Sequence, residues 1–266
     1  MLIFILVSTL ILSWAMLLPI AKKCQIRLRI SLIGSSVIGI VAGAILMLIR
    51  IRAANIVSLI GMELGFIIGI TGLIGLYLFY RDPKRVPPDL DNVIIAPADG
   101  SIRYIKRVNK GTVPVSIKRK RQIPVRDFIG ADMLGNGGWL IGIAMTYVDV
   151  HVNRAPIDGK IVLVKHIRGK FLSLKHGTAL MVNERASVII DNDKFKIGLI
   201  LIASRMVRRI VVWARNGDPV KRGQRVGKIV FGSQTDILIP TLRGLKIEVR
   251  EGQQVYAGLT VIVSFK

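Results

Sequence analysis

A glycine followed by a serine, Gly232-Ser233, interrupts an aliphatic run, with Ile229-Val230 before it and Ile237-Leu238-Ile239 after it. Small, polar, turn-prone residues inside a strand pattern read first as a turn or bulge. The pair also has a chemical option. A serine hydroxyl can attack the carbonyl that precedes it, and glycine leaves that carbonyl sterically open. Serine is a weak nucleophile without a base beside it. The chain has three histidines, His151, His166 and His176, so any imidazole base is one of these. His151 is the candidate, because it lies in an extended run, Asp149 to Pro156, that can point into a cleft, and imidazole titrates near neutrality. Asp99, in the turn Ala96-Pro97-Ala98-Asp99-Gly100, would orient that ring and complete a nucleophile–base–orienter set. Taken singly, His151 also fits a satisfied structural histidine and Asp99 a turn-forming residue. His166 and His176 match no motif and are read as structural. Cys24 is the sole cysteine, which excludes an intramolecular disulfide and a cysteine-based metal cage, and no metal site is expected.

The elements that hold these residues follow from the distribution of apolar and charged side chains. Of 266 residues 52% are hydrophobic, and the mean hydropathy of +0.53 is too high for an ordinary soluble domain. Met1 to Ile20, Ser31 to Ile49 and Leu64 to Tyr80 carry no charge. About 20 apolar residues cross a bilayer as a helix, so residues 1–80 are read as a membrane anchor of three spans. A secretory signal is the competing reading of the first, but its basic residues come only at Lys22 and Lys23. A carboxylate is costly at mid-membrane, so Glu63 is expected at the headgroup boundary where the third span begins. Lys22, Lys23, Arg27 and Arg29 put the first loop on the cytoplasmic side. Residues 81–266 are then cytoplasmic as well, and the protein is a multi-pass cell-membrane protein.

Formal net charge is +23, and all but six of the 39 Lys and Arg residues lie at 81–266. A domain this basic, held at a membrane, suits an anionic lipid surface. Nucleic acid is the rival partner, suggested by Lys118-Arg119-Lys120-Arg121, but the run is read as a solvated loop, and no nucleic-acid partner is expected. Prolines 83, 87 and 88 stop the third helix. Short β-patterned runs then follow at 93–95, 101–108, 139–145, 149–154, 160–167, 187–191, 195–203 and 209–213. Asp158-Gly159 reads as a hairpin turn, and 170–185 as helical or irregular. Asn216 to Gln224 is weakly echoed by Arg250 to Gly258. Paired turns of this kind occur in barrel-sandwich hybrids of the lipoyl type. The fold expected for 81–266 is a mostly antiparallel β domain with that barrel-sandwich-hybrid character.

Four islands stand in order: Tyr80-Arg81-Asp82-Pro83, Ala96 to Gly100, Asp149-Val150-His151-Val152-Asn153-Arg154-Ala155-Pro156, and Phe231-Gly232-Ser233. Together they resemble the pyruvoyl-dependent phosphatidylserine decarboxylases, in particular the short membrane-anchored branch of archaea and many bacteria, over roughly residues 75–266. The resemblance implies a proenzyme that cuts itself between Gly232 and Ser233 into chains 1–232 and 233–266, which stay associated. Ser233 becomes a pyruvoyl group, so no external cofactor is needed. The substrate implied is a membrane phospholipid with a serine headgroup, either phosphatidylserine or archaetidylserine. Its amine forms a Schiff base, carbon dioxide leaves, and the ethanolamine lipid is released. Ser233, His151 and Asp99 are the catalytic residues implied.

One departure bears on their roles. Other branches carry two histidines three apart here, and the second is the one assigned to self-cleavage. His151 occupies the first place and Arg154 the second, so the split between cleavage base and decarboxylation proton donor stays open, with His151 serving both as one assignment. Arg154, with Asn153 beside it, is a candidate for substrate binding, since a guanidinium matches phosphate oxygens bidentately; a surface ion pair is the alternative. Ester and ether lipids are not distinguished, nor is a monomer from a homo-oligomer. A non-enzymatic membrane-anchored adaptor or carrier of lipoyl-like fold is the competing function, but no carrier lysine stands beside Gly232-Ser233-Gln234.

Overall fold

The structure is a computed structural model that describes residues 2–23, 26, 28–49, 55–109, 112–114, 122–129, 137–174, 179–204, 209–229 and 234–266. Cys24, the 118–121 basic run, His176 and the Gly232-Ser233 step lie outside the described residues. The chain forms two compact units, Met1–Phe79 and Tyr80–Lys266.

The first unit is three helices, α1 (Leu2–Lys23), α2 (Leu28–Leu48) and α3 (Ile56–Tyr80), each long and apolar enough to cross a membrane. Small residues let α1 and α2 approach closely. A Cβ on Gly39 would come within 2.5 Å of Ser13 Oγ, and that hydroxyl donates to the Ser35 carbonyl at 2.8 Å. The α3 helix begins within the uncharged Ala53 to Met62 run that precedes Glu63. Asn55 caps it, its Oδ1 accepting from the Ser58 N–H at 2.9 Å. Glu63 therefore lies seven residues into the helix, about 10 Å from its start. It is fully buried, and Ser8 Oγ donates to its Oε1 at 2.5 Å.

The second unit is antiparallel β throughout its named strands. In chain order these begin with β1 (Val93–Ile95), β2 (Gly100–Val108), β3 (Thr112–Pro114) and β4 (Gln122–Pro124). The short helix α4 (Val125–Ile129) precedes β5 (Gly138–Ala144), β6 (Val152–Arg154) and β7 (Gly159–Ile167). The helix α5 (Ala179–Val182) leads to β8 (Arg185–Asp191), β9 (Lys196–Ile202), β10 (Ile210–Val212), β11 (Pro219–Val220) and β12 (Arg225–Ile229). Last come β13 (Gln234–Pro240), β14 (Lys246–Ile247), β15 (Gln254–Val255) and β16 (Val261–Ser264). Eight strands make one sheet in the order β11-β7-β8-β9-β13-β5-β2-β15, and β1-β16-β14 and β10-β12-β6 make two smaller ones.

Alternation along the strands sends side chains to two cores. On one face Ile141, Ile143, Leu199, Leu201, Ile237 and Ile239 meet Ile94, Val226, Ile262 and Val263 of the small sheets. On the other face Leu140, Ile200, Ile202 and Leu238 pack with Tyr104, Phe128 and Ile129. The central strands are buried on both sides, which is why they read as continuous aliphatic runs. Among the described residues of 170–185, 179–182 are helical; Asn183 bonds Leu172 N and O and the Ala203 carbonyl. Asp158-Gly159 is not a hairpin turn. It passes the chain from β6 in a small sheet to β7 in the large one.

The unit repeats itself more deeply than the echo in its last part suggests. Ala96-Pro97-Ala98-Asp99-Gly100 and Ala155-Pro156-Ile157-Asp158-Gly159 have one pattern, and each leads from a three-residue strand into a nine-residue one. Their partners repeat as well. Gly100 pairs with Val255, and Gly159 pairs with Val220. Gly258 N donates to the Ala96 carbonyl at 2.9 Å, and Gly223 N to the Ala155 carbonyl at 2.8 Å. Asp99 Oδ1 accepts from the Ala257 N–H at 2.8 Å, and Asp158 Oδ1 from the Arg222 N–H at 2.9 Å. Gly223 and Gly258 have φ of +80° and +79°, left-handed values that favour glycine at both turns.

Candidate active site

The extended segment after β5 turns through Thr146–Asp149 before reaching His151. Asp149 fixes that turn: its Oδ2 accepts from Thr146 N and Oγ1, both at 2.7 Å, and its Oδ1 accepts from Gln254 Nε2 at 3.0 Å. His151 is 2% exposed. Burial pushes its imidazole below the ordinary histidine value. A hydrogen bond with the Asp149 backbone and the charges of Asp149 and Asp99 oppose that shift, while Arg81 adds to it. A ring kept neutral at neutral pH is the form a general base needs.

His151 and Asn153 are bonded to both described flanks of the Gly232-Ser233 step. Ile229 N, the last residue of β12, donates to the His151 carbonyl at 3.2 Å. Thr235 Oγ1, the second residue of β13, donates to Asn153 Oδ1 at 2.6 Å. Asn153 is fully buried, and its Nδ2 has no hydrogen-bond partner among the described residues. The Thr235 bond fixes which end of the amide accepts and leaves two N–H groups available to a carbonyl or carboxylate oxygen. A buried donor left unpaired costs stability, so its retention fits a site that receives an oxygen.

Asp99 is buried at 2% exposure, and other groups take up its oxygens. Arg85 grips it in parallel, Nη1 to Oδ1 at 2.5 Å and Nη2 to Oδ2 at 2.8 Å. Arg85 Nη1 also donates to the Ala257 carbonyl at 2.6 Å. Asp99 thus reaches His151 through its field. Arg154, 4% exposed, is occupied in a similar way: it donates to Asp82 Oδ1 at 2.8 Å and to the Pro83 and Gly223 carbonyls, both at 3.0 Å. Asp82 also pairs with Arg225. These contacts tie strands to the segment after α3 and take up the Arg154 Nη1 and Nη2 groups. His166 lies apart, paired with Glu184 at 2.9 Å at the surface.

Two groups of residues were given no role by the sequence. Arg81 and Asp82 stood in the first island and Arg85 among the prolines that stop the third helix, and each enters the site's framework, with Arg81 Nη2 donating to the Val148 carbonyl at 2.7 Å. Their alternating charge among prolines was the available signal. The other group is a buried cluster on β13. Asp236 Oδ2 accepts from Tyr104 OH at 2.5 Å and Oδ1 from Gln234 Nε2 at 2.6 Å, while the same Nε2 also lies 2.7 Å from Tyr104 OH. Gly142 makes room for the ring, since a Cβ there would meet Tyr104 at 2.5 Å. An acid inside the aliphatic run 235–239 was the signal.

The sequence that builds this framework is similar to known proteins. The phosphatidylserine decarboxylase family model matches residues 75–263, which includes every site residue named above. A protein of Methanocaldococcus jannaschii named as an archaetidylserine decarboxylase proenzyme is 39% identical over 191 residues, covering 69% of this chain and 86% of the relative. Its counterpart from Methanothermobacter thermautotrophicus, with the same name, is 36% identical over 220 residues, covering 81% and 92%. A match over most of the β unit, with relatives aligned over nearly their whole length, makes this chain a decarboxylase that belongs to the phosphatidylserine decarboxylase family.

Proposed function

We propose that the protein is a self-processing decarboxylase of a serine-headgroup membrane lipid, whose working group is a pyruvoyl formed from Ser233. The observation that carries this reading is the pair of hydrogen bonds from Ile229 to His151 and from Thr235 to Asn153, which tether both sides of the Gly232-Ser233 step to the His151 segment. The relatives' names supply the substrate class and the proenzyme character.

In the processing step His151 takes the Ser233 hydroxyl proton as Oγ bonds to the Gly232 carbonyl carbon. The Gly232–Ser233 C–N bond breaks to give an ester. Elimination then leaves Gly232 as a carboxylate, and water releases ammonia from the new chain end. The Asn153 amide suits the oxygen that gains charge on the attacked carbonyl. In the finished enzyme the pyruvoyl supplies an electron sink for the decarboxylation. His151 then handles the protons: it keeps the substrate amine neutral, and it or a water it holds returns a proton once carbon dioxide has gone.

Architecture supports the two chains remaining together. The 233–266 chain would own β13, which is interior to the large sheet between β9 and β5, and also β14, β15 and β16. Three apolar helices and the basic balance of 81–266 support attachment to a membrane, with the β unit on the cytoplasmic, anionic face. The test is mutation of the proposed machinery. Ser233→Ala should remain one chain near 29.3 kDa without activity, and Asp99→Asn and His151→Ala should slow cutting. Normal cutting in both of the latter would remove Asp99 and His151 from the mechanism.

A further inference from the structure

The internal repeat separates what Asp99 does as scaffold from what it does as part of the site. Asp99 and Asp158 occupy matching places in the two Ala-Pro-x-Asp-Gly turns, and each accepts a backbone N–H from the matching partner turn, Ala257 or Arg222. That bond is therefore the common structural use of this aspartate. The guanidinium is not repeated. Asp158 has no salt bridge among the described residues, whereas Asp99 is held bidentately by Arg85. Nor is the surrounding repeated, for Asp99 lies in the field of His151 while the place matching His151 is taken by Asn92.

Arg85 is itself fixed. Its side chain is 8% exposed, it also bonds the Ala257 carbonyl, and the prolines at 83, 87 and 88 stiffen the chain around it. We infer that Arg85 is a positioning residue of this site, holding the Asp99 carboxylate in one orientation and balancing its charge beside His151. A bidentate fork sets the plane of a carboxylate as a lysine cannot. Without the fork, Asp99 keeps only the Ala257 bond that Asp158 makes do with. A carboxylate buried with too few partners takes up a proton more readily, and one that stays charged without its counter-ion holds a proton on the nearby imidazole. Both consequences move the loss of base function to higher pH.

This inference rests on the self-processing reading, and the experiment separates the two. Full-length protein is made in membranes, and the fraction cut is followed by intact mass over time and across pH 5 to 9. The variants are Arg85→Ala, Arg85→Lys, Asp99→Asn, the Arg85→Ala/Asp99→Asn pair and Asp158→Asn. Arg85→Ala should cut roughly 10- to 100-fold more slowly, with the acid limb of its rate profile moved to higher pH. Arg85→Lys should recover part of the rate. The double variant should cut no more slowly than Asp99→Asn alone, because Arg85 acts through Asp99. Asp158→Asn should cut at the wild-type rate and so report the scaffold bond by itself. A wild-type chain that never cuts overturns the self-processing reading. A wild type that cuts while Arg85→Ala matches it in rate and pH profile overturns this inference, and so does a double variant slowed by the product of the two single effects.

Discussion

In the proposed mechanism His151 is the residue on which the chemistry turns, and its burial would set the pH behaviour. A base whose folded value is depressed is uncharged through neutrality and gains its proton only below the usual histidine range. Cutting should therefore be flat from pH 7 upward and decline only on the acid side of about 6.5. Rates of cutting measured in purified protein across pH check this, and a decline beginning above 7 would contradict it. Removing the ring with His151→Ala should slow cutting by about 100-fold or more, the usual weight of a positioned base. Asn153 acts at the same scale. Asn153→Ala removes the unpaired donor and leaves the Thr235 hydroxyl without its acceptor, so cutting and thermal stability should both fall; Asn153→Asp, which keeps the acceptor but adds charge, should fold and cut slowly.

At the scale of elements, β13 begins at the residue after Ser233. Its side chains alternate between the two cores, with Thr235 bonded toward Asn153 and Gln234 and Asp236 bonded to Tyr104. Burial raises Asp236 to about 6 against the hydrogen bonds from Tyr104 and Gln234 and the charge of Lys106. The folded state thus holds that proton more tightly than the unfolded chain. The contribution to stability is fully present below the unfolded value of 3.8 and is lost as pH rises through about 6. Ionised at neutrality, the buried group costs on the order of 3 kcal/mol. Asp236→Asn should flatten that part of the pH dependence in urea unfolding, relative to wild type between pH 4 and 7, and an unchanged slope would contradict it. Tyr104→Phe leaves Asp236 one donor short and should destabilise by about 1–3 kcal/mol.

The same strand shows how far the sequence could be read. Aliphatic alternation located the strands, and the ordered islands located His151, Asp99 and the Gly-Ser step. The partners of Asp99 and Arg154 were not legible, because Arg85 and Asp82 reach them across the fold and charge among prolines after a helix reads equally well as an interfacial stop. Glu63 lies inside α3 for a local reason: Asn55 caps the helix about two turns before it. The Ala-Pro-x-Asp-Gly repeat was in plain view, but its meaning depends on the matching hydrogen bonds to 217–223 and 252–258.

At the scale of the whole molecule, the claim is a membrane-held enzyme cut into two chains. Four cations in the first loop predict that Cys24, the only thiol, faces the cytoplasm. A membrane-impermeant maleimide should label it in inverted vesicles and not in intact cells, and labelling from outside would put the β unit on the wrong face. The most direct test of the account is the intact mass of purified protein, with and without lipid substrate and cyanoborohydride. The account predicts two chains, 1–232 and 233–266, the smaller one lighter by one ammonia than a serine-initiated peptide and alone gaining mass when substrate is trapped. A single uncut wild-type chain with full activity, or a substrate adduct on the long chain, would contradict it.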